Sequence, residues 1–143
     1  MMWRLVFFIS FIGTMLVTNS AQAASTLEQI EEGTAHWHCS ALAKIVANDE
    51  HEVHFQRGYA VLHTTLGELR RSPETVGEEL SYYLAEYLDA PSLEFALGMI
   101  WESFTDKARR IVDGEGWVML SPDQRKKIAA DAYRVNFCQS LID

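Results

Sequence analysis

From Leu27 onward the apolar residues recur every three or four positions, and that period predicts helices throughout the chain. The first helix is expected from about Leu27 to Ala47, opened by the capping box Ser25-Thr26-Leu27-Glu28. Its apolar stripe reads Leu27, Ile30, Thr34, Trp37, Ala41 and Ile45. Asn48 or Asp49 caps a second helix with the stripe His51, Phe55, Tyr59, Leu62, Leu66 and Leu69, weakened at Gly67 in its last turn. Ser72-Pro73 opens a third, with proline at the first helical position and Val76, Leu80, Tyr83, Leu84 and Tyr87 on its buried face. Asp89-Ala90-Pro91 breaks the chain before a fourth helix from about Ser92 to Val112, whose stripe is Leu93, Leu97, Ile100, Trp101, Phe104, Ala108 and Ile111. After the glycine-containing turn at 113–116, Ser121-Pro122-Asp123-Gln124 forms another capping box, and a fifth helix is expected to reach Leu141 with Ile128, Ala132, Val135, Cys138 and Ile142 inward. Only Trp117-Val118-Met119-Leu120 hints at a strand, and it is too short to build a sheet. The pattern therefore predicts an all-α fold, a compact bundle of about five helices with short, mostly antiparallel connections.

Residues 1–23 follow a different pattern. Arg4 precedes an apolar run from Leu5 to Val17, and Ala21-Gln22-Ala23 has the small-x-small form of a cleavage site. The run is shorter than the roughly 20 residues a membrane span requires. The expectation is a cleaved signal peptide at 1–23, a single helical domain at 24–143, no stable membrane insertion after cleavage, and a periplasmic or secreted location.

Composition agrees with one folded domain: 143 residues, 48% hydrophobic and 22% charged. The formal charge is -8, and since residues 1–23 hold only Arg4, the remainder carries 11 basic against 20 acidic residues, or -9. Such a surface repels nucleic acid and anionic lipid, which makes both poor partners. Export also gives the two cysteines a meaning. Cys39 stands near the start of the domain and Cys138 near its end, and an oxidising compartment predicts a disulfide that ties the first helix to the last. Without a C-x-x-C motif, a redox-active site is not indicated.

Histidines are the first candidates for chemistry. His36, His38, His51 and His54 lie close in sequence, and His51 and His54 at i, i+3 could share a metal ion. Against that, His38 and His51 fall on the predicted apolar faces, and the expectation is two histidines packed near the disulfide and three in solvent. There is no HExxH, no C-x-x-C-H for haem, no strand-turn-helix elbow around a serine and no phosphate-cradling glycine loop. The acidic pairs Glu31-Glu32 and Glu78-Glu79 read as solvated faces. No catalytic residue, metal or cofactor is therefore assigned, and the chain is read as a non-enzyme.

Surfaces carry the stronger expectation. Phe95 and Met99 sit one turn apart, off the main stripe of the fourth helix, with Gly98 between them. Tyr133, Phe137 and Leu141 form a second apolar face on the fifth, and Trp117 with Met119 stand in a glycine-flanked loop. In outline the chain resembles small exported helical proteins closed by one cysteine pair, such as acid-stress chaperones of the periplasm and periplasmic immunity proteins. Trp37-His38-Cys39 is similar to the Trp-x-Cys of the former. The likeness implies action by binding and transfers no functional residue. Two functions are consistent with these features. One is binding of another protein, as an inhibitor, immunity protein or chaperone, through Phe95, Met99, Trp117 and Met119, with a homodimer as a variant. The other is binding of a small ligand or metal by histidines of the first two helices.

Overall fold

The computed structural model describes residues 9–73, 84–114 and 119–143, with side chains from Ser25 on. Its elements are helices: α1 (Ile9–Val46), α2 (Glu50–Arg71), α3 (Leu93–Asp113), α4 (Pro122–Val135) and the short 3-10 helix η1 (Cys138–Leu141). A further helical stretch at 84–88 precedes α3, and no strand occurs among the described residues. Of the expected third helix, Leu84 is buried and Tyr87 half-buried, while Val76, Leu80 and Tyr83 lie outside the described residues.

The first helix begins earlier than its capping box predicts. α1 runs without interruption from Ile9 through Ser25 and Thr26 to Val46. Helical residues upstream place carbonyls four positions before each of these N–H groups, so no cap is needed at Ser25. The helix ends at Ala47, a non-glycine residue in the left-handed region (φ 62). There the Asn48 N–H reaches back to the Ala43 carbonyl at 3.0 Å, and the Asn48 side chain accepts from the Glu50 N–H at 3.0 Å to start α2.

Two glycines bring α1 and α2 together. A Cβ on Gly58 would stand 2.7 Å from the Gly33 carbonyl oxygen, and one on Gly33 would meet Leu62 at 2.6 Å. The close approach buries His54, Gly58, Leu62, Thr65, Leu66 and Leu69 on α2. This is a 3-4 stripe like the expected one, rotated toward small and polar residues that hydrophobicity alone overlooks. Gly67 does not end α2, which continues to Arg71. Arg70 then clamps the following segment, donating to the carbonyls of Tyr87 at 3.0 Å and Ala90 at 2.7 Å.

α3 starts at Ser92, whose side chain accepts from the Phe95 N–H, and ends at Gly114 with φ 67. Near its C-terminus the buried residue is Val112, and Ile111 is exposed, the reverse of expectation. α4 opens with the predicted Ser121–Gln124 capping box. It stops at Val135, short of Leu141, because Phe137 takes a left-handed conformation (φ 54) and the chain tightens into η1. The inward face of α4 differs in part from the expected one: Ile128 and Ala132 are half-buried and Cys138 is buried as expected. Ala129 and Tyr133 point inward, whereas Val135 is exposed.

Two clusters make up the core. Trp37, Leu62, Leu66, Leu69, Leu84, Leu97 and Ile100 form one, against which Phe55 and Trp101 pack. Cys39, Ala41, Leu42, Ala43, Ala108, Tyr133 and Cys138 form the other. The Cys39–Cys138 disulfide spans 99 residues of sequence and joins α1 to η1, with the Cα atoms 5.5 Å apart. The first and last helical regions are thus covalently linked, as expected.

Candidate functional site

Beside the disulfide lies a chain of polar side chains from α1, α2 and α4. His36 and His54 face each other through their Nδ1 atoms at 3.0 Å. The Nε2 of His54 stands 2.9 Å from the Tyr133 hydroxyl, which donates to Glu50 Oε2 at 2.7 Å. Asn48 Nδ2 also donates to that oxygen, at 2.8 Å. One turn along α1, Ser40 donates to the His51 carbonyl at 2.7 Å. His36, Ser40, His54 and Tyr133 are buried, and Glu50 is half-buried at the open end.

These distances fix the direction of every proton. Tyr133 has one hydrogen and gives it to the Glu50 carboxylate, so its oxygen must accept from His54 Nε2–H. Burial holds the His54 pKa down to about 4, helped by the positive potential of His36 and Arg57 and opposed by Glu50. His54 is therefore neutral at pH 7, and its Nδ1 carries a lone pair that accepts from His36 Nδ1–H. Burial likewise lowers His36, with Arg57 adding to the effect and Glu32 opposing it. The Tyr133 hydrogen bond keeps Glu50 ionised to lower pH than usual, while burial, and then Glu50, push the Tyr133 phenol up. The result is a one-way relay, His36 to His54 to Tyr133 to Glu50, satisfied end to end at neutral pH.

The relay ties three helices together by orienting protons. Both nitrogens of His54 are engaged within it, which leaves none for a ligand. The expectation of two packed and three solvated histidines gives way to two buried and three half-buried ones. His36 and His54 are the buried pair, while His38 and His51 are half-buried. His38 rests edge-on against Phe104, and His51 Nδ1 lies 3.2 Å from the Asn48 carbonyl. The pair His51 and His54 is thus not gathered around a common ligand position. Among the described residues no group of three or more His, Cys, Asp or Glu side chains could hold a metal ion.

Of the expected interaction residues, Phe95 is 55% and Met119 98% exposed, Met99 is half-buried, and Trp117 lies outside the described residues.

Exposed apolar side chains also flank η1. Val135 is 64% and Phe137 74% exposed, and Leu141 adds to them. Arg57 on α2 donates to the carbonyls of Leu141 at 2.9 Å and Ile142 at 3.3 Å. On α2, Val53 lies between Glu50 and Arg57 on the helical face from which both reach the C-terminal region, and it too is exposed. The second apolar face expected for the last helix thus divides at Tyr133, which turns inward, while Phe137 and Leu141 turn outward.

No helix among the described residues is long and apolar enough to cross a membrane, and this, with the disulfide, is compatible with export. Comparison with protein families, with characterised proteins and with solved structures finds no match.

Proposed function

We propose that this chain is exported with loss of residues 1–23 and acts by binding another protein through the patch of Val53, Val135, Phe137 and Leu141. Phe137 carries the proposal. A left-handed backbone costs an L-residue about 1–2 kcal/mol, and an aromatic ring held in it is uncommon. Here that conformation presents the ring to solvent beside Cys138, whose bond to Cys39 fixes the segment. Burial in the fold does not compensate the strain, because the ring is not buried. A rigid exposed aromatic among smaller apolar side chains has the form of an interface anchor. The acidic, stapled scaffold fits an inhibitor, immunity protein or chaperone.

The test places a photo-cross-linking phenylalanine analogue at 137 in the native host, with a control at the exposed Glu68. One discrete adduct with a different protein at 137, and none at 68, is expected. An adduct only with a second copy of the chain, or no adduct, overturns the proposal. N-terminal sequencing of the same material should start at Ala24, and a start at Met1 would remove the export step.

A further inference from the structure

A second feature lies where α1 meets α3 and α4. A cleft of about 470 Å³ is lined by Ala41, Lys44, Ile45, Trp101, Thr105, Arg109 and Arg125. That volume is within the range of small-ligand sites. The lining contains three cations and no acid, although the chain as a whole carries -8.

The cleft is amphipathic along its length. Trp37 on α1 touches Trp101 on α3 with ring centroids 5.7 Å apart, and His38 meets Phe104. Later residues of α1 therefore lie beside later residues of α3, and the two helices run parallel. Trp101, Thr105 and Arg109 follow at i, i+4 and i+8 on one face, as do Ala41 and Ile45 on the other wall. One end of the cleft is thus Trp101 with Ala41, and the other gathers Lys44 and Arg109 beside Ile45.

The cations differ in how freely they can act. Arg125 is committed to Asp113, with Nε 2.9 Å and Nη2 3.1 Å from the two carboxylate oxygens. Among the described residues Arg109 pairs with Asp106 alone, an exposed i, i+3 contact at 2.7 Å that rearranges at little cost. Lys44 has no ion pair among the described residues and is exposed. Two cations are thus available at one end of an apolar trough whose floor includes a half-buried indole.

We infer that this cleft binds a small organic carboxylate with an aromatic or aliphatic body, its head between Lys44 and Arg109 and its body against Trp101, Ala41 and Ile45. The inference does not depend on the protein-binding reading, since it uses none of the patch residues. Its test is isothermal titration calorimetry of the exported chain with three probes: 4-phenylbutyrate, acetate and 4-phenyl-1-butanol. Saturable one-to-one binding of 4-phenylbutyrate is expected, with neither the head alone nor the neutral body binding measurably. The double variant Lys44→Met, Arg109→Gln should weaken binding by about tenfold or more, and its unfolding temperature should match that of the parent because both residues are exposed. Should the double variant fail to fold, Lys44→Glu alone serves the same comparison. The Trp101 indole N–H should shift in an NMR titration with 4-phenylbutyrate. No saturable binding, binding unchanged in the variant, or equal binding of the neutral alcohol overturns the inference.

Discussion

The two ends of the core solve the same packing problem with different chemistry. Around Trp37 the side chains are aromatic and aliphatic. Trp37 stacks on Phe55 at 5.8 Å, Phe55 meets Trp101 edge-on at 4.9 Å, and one polar group, the Trp37 indole N–H, is satisfied by the Phe55 carbonyl at 3.0 Å. Around Cys39 the interior holds small residues, a disulfide and the relay from His36 to Glu50. Dispersion and burial stabilise the first end, whose central side chains are uncharged. The second end is specified by proton positions as well as by shape. A relay of this kind selects one helix register sharply but is vulnerable to any change of protonation. Burial-driven stability and proton-dependent specificity thus start from neighbouring residues of α1, Trp37 on one side and His36 with Cys39 on the other.

The largest effect should come from the disulfide. Replacing Cys39 and Cys138 together by alanine removes a closure of 99 residues, worth about 4–5 kcal/mol in the chain-entropy model. Urea unfolding would measure it. A loss below about 1 kcal/mol would mean that the relay alone fixes the C-terminal segment, since covalent closure is the term removed.

Acid should come next and should strike chiefly at the relay. In the unfolded chain His54 takes a proton near 6.5, but in the fold only near 4. Stability is therefore greatest above about pH 6.5 and falls as the pH drops toward 4. At about 1.4 kcal/mol per pH unit, the loss is about 3 kcal/mol from His54. His36 and His38, both lowered by burial, shift in the same direction, and Glu50 adds a loss once the pH falls below the ordinary carboxylate range. Urea titrations at pH 7 and pH 4 check this. Equal stability at the two pH values would show that the histidines are not held neutral.

Gly58→Ala tests the other end. Its Cβ would meet the Gly33 carbonyl at 2.7 Å, a backbone atom that cannot swing aside. The expected loss is about 3 kcal/mol, at the upper end for overpacking, and is independent of pH. Tyr133→Phe leaves His54 Nε2–H and Glu50 without their shared partner and should cost about 2 kcal/mol at pH 7. That cost should shrink in acid, where the relay is already broken. The smallest effect is a gain. Gly98 is exposed within α3 with nothing within 4 Å of an added Cβ, and Gly98→Ala should stabilise by about 0.5–1 kcal/mol.

Much of the fold was legible in the residues. The capping box at Ser121, the start of a helix near Ser92 and the pairing of Cys39 with Cys138 depend on local chemistry or on compartment, and each is found as expected. The candidate site was not legible in the same way. His54, Gly58 and Thr65 belong to the buried stripe of α2, yet none of them is strongly apolar, so a period drawn through the largest side chains runs through His51, Phe55 and Tyr59 instead. The fragment Glu50, His54, Gly58, Leu62 at successive i+4 steps is the signal that could have revealed the relay face. Tyr133 looked like half of a second apolar face, and its hydroxyl acquired a role only through partners 79 and 83 residues away.

By itself the sequence determined the helical class, most helix boundaries and the covalent clasp, because hydrophobic period, capping and cysteine count act over a few residues or through the compartment. The tertiary structure alone decided which histidines are buried, which face of α4 turns inward, and that Phe137 ends its helix in a left-handed turn. Those outcomes depend on how closely Gly33 and Gly58 let two helices approach, and on which polar groups then find partners. Both are properties of neighbours that the linear chain keeps apart.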